Sequence, residues 1–186
     1  HLPPTGRDGA AEFAAAHIPG AVYFDLDQTS DPDSDLPHML PSAAFFAEAV
    51  GKLGISEGDT IVVYDQLGLF TAARVAWMFH LYGAKDVRIL EGGLPNWVAE
   101  HRPVTTEVPT PAPATFKATL DAATVADLGR VATTLKDGSA QVVDARPAPR
   151  FDGKAPEPRP GVRPGHMPGS LNLPFPSVVS KGRRLR

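Results

Sequence analysis

The 186-residue chain contains no cysteine, so within these residues there are no disulfides and no thiol chemistry. No apolar run approaches the length of a membrane span. The first seven residues lack the apolar core of a signal peptide. Neither sign of charge dominates: 18 Lys and Arg against 21 Asp and Glu give a net charge of −3. That balance exerts no general pull toward nucleic acid or an anionic membrane. The basic tail of Lys181, Arg183, Arg184 and Arg186 reads as a solvated cluster. No His, Asp and Glu group has metal-ligand spacing. Glu91-Gly92-Gly93 is too short for a nucleotide fingerprint, and no P-loop pattern occurs. With 42% hydrophobic and 21% charged residues, the composition is that of a soluble globular chain with a real core. Proline is the excess: 20 residues, clustered over 103–113 and 147–176, where they mark linkers and fixed loops.

The chain is organised around residues 60–82, TIVVYDQLGLFTAARVAWMFHLY. Ile61, Val62, Val63 and Tyr64 read as a buried strand, residues 65–70 as a tight loop, and Thr71 as the start of a helix. Ala72, Val75, Ala76, Trp77, Met78, Phe79 and Leu81 make that helix apolar on nearly every side, so it belongs inside a domain. A loop at the carboxyl end of a strand is the usual place for a site in an open α/β sheet. It aims free backbone N–H groups and the positive end of the helix dipole at whatever it holds. Here it opens with an anion, Asp65.

Around this unit the elements alternate. Pro19-Gly20 turns into an expected strand over 21–24. Residues 25–41 form a long polar loop. Ser42 caps a helix whose buried face is Phe46, Ala49, Val50 and Leu53, and Gly54 stops it. A strand over 87–90 leads through Glu91-Gly92-Gly93 into a helix over 94–100. Residues 103–113 read as a stiff linker. Beyond it come a helix over 124–136 with Val125, Leu128, Val131, Ala132 and Leu135 on its apolar face, a strand over 141–144, an irregular stretch over 146–169, and a strand over 171–173. Strands alternating with helices predict a parallel sheet.

The chain also repeats itself. His17-Ile18-Pro19-Gly20-Ala21-Val22 returns as His166-Met167-Pro168-Gly169-Ser170-Leu171, a spacing of 149 (166 − 17). A repeat this long predicts duplicated domains. The same spacing puts the counterpart of the Asp65 loop near position 214 (65 + 149), past residue 186. The expectation is most of one domain followed by the first third of another.

The stretches HIPGAVYFDLD, LPHMLP, VVYDQLGLFTAARVAWMF, LEGGLPNW, PAPATF, VVDARPAPRF and PEPRPGVRPGHMPGSLNLPF carry a resemblance to the two-domain sulfurtransferases, the rhodanese and 3-mercaptopyruvate sulfurtransferase family. They cover nearly the whole chain in family order. The resemblance implies an α/β fold of tandem rhodanese-like domains, each a mainly parallel sheet flanked by helices. The first, inactive domain spans 1–102, a Pro-rich linker 103–116, and the start of the catalytic-type domain 117–186. It implies an acidic residue at the first-domain loop, which Asp65 supplies, and a nucleophilic cysteine at the second-domain loop, near 214.

The implied reaction moves a sulfane sulfur from 3-mercaptopyruvate through a cysteine persulfide to a small thiol, thioredoxin or cyanide. The implied setting is cytoplasmic, with no metal or organic cofactor, no nucleic acid and no membrane. Arg150 and Arg159 match the two arginines that bind the donor, and a guanidinium fork suits a carboxylate. Arg159 stands where the thiosulfate branch tends to carry an acidic residue, which favours mercaptopyruvate. Asp27 and His38 match a carboxylate and imidazole that form a proton relay with a serine of the cysteine loop. In relatives some carry aspartate where Pro37 stands. Read as bare sequence, the same arginines are solvated loop residues, and Asp27 and His38 are turn residues. Phe70 is expected to pack in the core, Arg74 to make a structural ion pair with Asp65, and His17 and His166 to be structural. Three readings compete with the first: a thiosulfate sulfurtransferase, a non-catalytic rhodanese-like binding module, and a phosphatase of the related cell-cycle fold. The downstream loop separates them. Cys-Gly-Ser-Gly favours mercaptopyruvate, a basic residue after the cysteine favours thiosulfate, and no cysteine favours binding alone.

Overall fold

Strand β1 (Thr60–Val63) and strand β2 (Asp86–Ile89) pair in parallel, with Ile61 opposite Val87 and Val63 opposite Ile89. Parallel neighbours need a crossover, and helix α3 (Ala72–Leu81) supplies it by packing on both strands. The computed structural model describes residues 6–159 and 161–180. The basic tail, Lys181, Arg183, Arg184 and Arg186, and the first residues read for a signal peptide lie outside the described residues, apart from Gly6 and Arg7. The chain divides into two units between Ala122 and Ala123.

In the first unit, helices α1 (Gly9–Ala15) and α2 (Ala43–Lys52) precede β1, and helix α4 (Gly93–Ala99) follows β2. Asp8 caps α1 through the N–H groups of Ala10 and Ala11, and Ser42 caps α2 through Phe45 N–H. The core is where α2 meets α3. Phe46 stacks on Tyr82 at 4.1 Å between centroids and meets Phe79 and Phe116 edge-on at 5.5 and 5.6 Å. Val50, Met78 and Leu81 are buried beside them. Burial of β1 is one-sided: Ile61 is buried but Val62 is 53% exposed. An apolar run alone does not say whether both faces of a strand are covered. The strand expected over 21–24 does not form among the described residues, because no described segment takes the neighbouring place in a ladder. Phe24 still packs on Phe79 at 5.7 Å.

The proline-rich stretch is laid on this unit. Thr105 bridges His17, Ala114 N–H donates to Gly51 O at 2.8 Å, and Thr119 and Asp121 N–H donate to Tyr82 O and Leu81 O. Helix C-termini leave carbonyls without intrahelical partners, and this segment satisfies them for α2 and α3. Its approach is close enough that a Cβ at Gly51 would lie 2.6 Å from Ala114 O. Phe116 is thereby buried in the core.

In the second unit, helix α5 (Leu128–Asp137) begins four residues later than the apolar pattern predicts. Asp127 decides the start, since its carboxylate accepts from Arg130 N–H as an N-cap. No residue of α5 is buried, and Leu128 is 82% exposed. Strands β3 (Val143–Asp144) and β4 (Leu171–Asn172) pair in parallel. Short helices α6 (Ala148–Phe151) and α7 (Phe175–Val178) flank β4 in sequence.

The repeat is structural as well as sequential. His17 Nδ1 contacts Phe13 O at 2.7 Å with the ring 4.0 Å from that of Phe13. His166 Nδ1 contacts Phe151 O at 2.8 Å with the ring 3.8 Å from that of Phe151. In each copy the histidine ties the Pro-Gly turn to the preceding helix, a structural use. Among the described residues, no helix is long and apolar enough to cross a membrane.

Truncating Phe46, which the core surrounds, is expected to destabilise the protein by about 3–5 kcal/mol in Phe46→Ala. Urea denaturation checks this, and a loss below about 1 kcal/mol would contradict the packing described.

Candidate functional site

The loop between β1 and α3 folds around its own carboxylate. Asp65 Oδ1 accepts from Leu67 N–H at 2.9 Å, and Oδ2 accepts from Phe70, Thr71 and Ala72 N–H at 2.7, 2.7 and 3.0 Å. The last three are orphan donors at the start of α3, where the helix dipole also favours an anion. Burial alone would push the Asp65 carboxyl up. The N–H groups of Ala72, Thr71, Phe70 and Leu67 together outweigh it and hold the carboxyl below its ordinary value. The far side of the loop is closed by the Gly92-Gly93 turn. Leu94 N–H donates to Asp65 O at 3.0 Å, and a Cβ at Gly93 would lie 2.4 Å from that oxygen. Only glycine fits there, at φ +56°.

Asp27 and His38, eleven residues apart in the polar loop, are brought together: His38 Nε2 lies 2.8 Å from Asp27 Oδ1. Asp25 shapes the Asp27 turn by accepting from Asp27 N–H at 2.9 Å. His38 is one of three non-glycine residues with positive φ among the described residues, at 59°. Its carbonyl accepts from Arg74 Nη2 at 2.9 Å. Arg74 therefore does not pair with Asp65. Its guanidinium lies over the Trp77 ring at 4.8 Å, and burial lowers its pKa. The first turn of α3 points Arg74 at the histidine loop, while the anion at Asp65 is already saturated by N–H groups.

In the second unit, Arg150 donates to Glu157, at 3.2 Å from Nε and again from Nη2. Glu157 also accepts from Arg146 Nη1 at 2.8 Å, and its side chain is only 4% exposed. Arg146 is itself held by Asp144 and by Gly165 O. Arg159 is exposed, and its side chain has no hydrogen-bond partner among the described residues. Among the same residues, no cluster of His, Asp and Glu could hold a metal ion.

The family pattern described as "Rhodanese-like domain" matches residues 7–100. The chain belongs to the rhodanese-like family. Human 3-mercaptopyruvate sulfurtransferase is 44% identical over 183 residues, covering 97% of this chain and 62% of the human protein. Chicken thiosulfate sulfurtransferase is 43% identical over 181 residues, covering 96% of this chain and 62% of the chicken protein. The crystal structure of SseA from Escherichia coli, a 3-mercaptopyruvate sulfotransferase by name, superposes with a TM-score of 0.89 at 36% identity. It covers 98% of this chain and 68% of that one. The rhodanese-like chain thus spans about three fifths of the length of its curated relatives.

Two features of this rhodanese-like chain do not show in its sequence pattern. Glu157 as the shared partner of Arg146 and Arg150 is one; a glutamate close to several arginines in a Pro-rich stretch was the available signal. The tie from Arg74 to the His38 carbonyl is the other, and no pattern announces a side-chain bond to a backbone 36 residues away. Phe70 departs from expectation: it is 44% exposed at the loop rim and does not pack in the core. Its backbone N–H is committed to Asp65, and that directs the side chain outward.

Asp65→Asn is expected to cost about 1–3 kcal/mol at pH 7, because an amide presents a donor to N–H groups that need an acceptor. The folded Asp65 carboxyl lies below its ordinary 3.8. The carboxylate's contribution is therefore full above that value and is lost as pH falls through the lower folded one. The difference in melting temperature between wild type and Asp65→Asn should narrow in acid. A gap that stays constant from neutral pH into acid would refute the assignment.

Proposed function

We propose that the whole protein is a sulfurtransferase that moves a sulfane sulfur from 3-mercaptopyruvate to a thiol or cyanide. The observation that carries this reading is the continuous similarity to human 3-mercaptopyruvate sulfurtransferase along 97% of the chain. It is supported by Arg159 in the PEPR segment, left exposed without a side-chain partner among the described residues. A cysteine thiolate in a loop following residue 186 attacks the donor sulfur. The carbon–sulfur bond breaks, the enolate of pyruvate leaves and takes up a proton, and the cysteine keeps the sulfur as a persulfide. An acceptor thiolate or cyanide then attacks the outer sulfur and returns the cysteine thiolate.

Arg159 binds the donor carboxylate, and Arg150, braced by Glu157, binds beside it. His38 donates from Nε2 to Asp27, which leaves Nδ1 to take and return the proton of the transfer. The Asp65 cradle illustrates how a loop of this kind holds an anion, and the cysteine loop would hold its thiolate and persulfide in the same way. Acceptors are small thiols, thioredoxin or cyanide, and the compartment is the cytoplasm.

Thiosulfate is the second reading, because the chicken thiosulfate sulfurtransferase is nearly as similar. Steady-state assays of the whole protein separate the two. The expected result is a kcat/KM at least about tenfold higher with mercaptopyruvate than with thiosulfate. The reverse preference would install thiosulfate, and no turnover with either would leave a binding module. Arg159→Gln is expected to raise the KM for mercaptopyruvate about ten- to a hundredfold, the weight of a charge-assisted bond, with a smaller change in kcat. An unchanged KM would remove Arg159 from the donor site.

A further inference from the structure

We propose that Arg74 is the positioning residue of the Asp27–His38 pair and acts through the His38 backbone. The inference rests on the relay assigned above to those two residues. His38 holds a left-handed backbone at φ 59°, a conformation in which a residue with a Cβ is strained. Such a residue persists only where its surroundings over-determine it. The surroundings are three anchors on the carbonyls of residues 38, 39 and 41. Arg74 Nη2 donates to His38 O at 2.9 Å, Asp31 N–H donates to Met39 O at 3.0 Å, and Tyr82 Oη donates to Pro41 O. Arg74 and Tyr82 stand eight residues apart, on one stripe of α3 and its C-cap. The same helix begins at the Asp65 cradle, so one rigid element holds both the anion loop and the histidine loop.

The state of Arg74 argues against mere filling. Its Nε is buried without a hydrogen-bond partner among the described residues, a cost that an aliphatic side chain of similar length would avoid. An aliphatic side chain could stack on Trp77 but could not donate to the His38 carbonyl. The guanidinium therefore serves the carbonyl. Released from it, the His38 backbone relaxes from its left-handed conformation, and Nε2 swings off Asp27 while donor binding is untouched.

The test uses the whole protein, labelled with 15N, with imidazole signals of His38 assigned by their loss in His38→Asn. Wild type is expected to show one His38 tautomer, protonated at Nε2. In Arg74→Met that fixed tautomer is lost, kcat falls at least about tenfold, and the KM for the donor stays within about twofold. Arg74→Met combined with His38→Asn is expected to be no slower than His38→Asn alone, because both remove the same unit. Arg74→Lys, which keeps the charge and the stem, is expected to lose part of each property. It is the variant read if Arg74→Met does not fold. An unchanged His38 tautomer in a folded Arg74 variant, or kinetic losses that multiply in the double variant, would overturn the proposal. If the whole protein turns over no sulfur donor, the sulfur-transfer reading falls by itself. The imidazole spectra then decide Arg74 alone: a lost tautomer supports the clamp and an unchanged one refutes it.

Discussion

Backbone N–H groups that converge on one point must be answered by an acceptor, and this requirement organises the first unit. Three donors at the start of α3 and one from the preceding loop meet at the Asp65 carboxylate. A loop that turns its amides inward disfavours a positive side chain at its centre and welcomes a negative one. Asp65 satisfies the donors from within the chain, so the loop is a finished anion site with its anion built in. The Gly93 approach and the buried α3 then fix the loop from behind. A thiolate or persulfide placed in an equivalent loop would meet the same donors. That is the physical link between this unit and the chemistry proposed for the whole protein.

Helix α3 carries a second duty. Its interior face packs against Phe46 and Phe116, and Arg74 in its first turn and Tyr82 at its C-cap reach the carbonyls of the 38–41 loop. Polar groups inside an apolar helix are costly unless bonded, so their presence marks a loop that has to be held. The second unit shows the same economy. Glu157 gathers Arg146 and Arg150, which leaves Arg159 as the exposed cation of the PEPR segment.

Much of this was legible in the sequence because it depends on local chemistry. The strand, loop and helix of 60–82 follow from apolar periodicity, and Ser42 announces its cap. The Asp27–His38 contact followed from the family resemblance. The His17 and His166 motifs repeat in sequence, and in each the imidazole stacks on a phenylalanine of the preceding helix, Phe13 and Phe151. What stayed hidden depends on distant partners. Residues 103–113 read as a stiff linker because proline content reports stiffness, not docking. That stretch and the residues after it lie on the first unit, where Ala114, Thr119 and Asp121 answer carbonyls at the ends of α2 and α3, and only the folded positions of Gly51, Leu81 and Tyr82 reveal that. The exposure of Val62 and the lack of a strand over 21–24 among the described residues likewise depend on which segments lie alongside. The apolar pattern alone starts α5 at residue 124, whereas the capping carboxylate of Asp127 sets its start at Leu128.

The measurement that tests the central claim most directly is the intact mass of the whole protein before and after exposure to 3-mercaptopyruvate. The account predicts a gain of one sulfur atom, released on adding cyanide, and no gain when the loop cysteine is replaced by serine. A mass unchanged by the donor would contradict it.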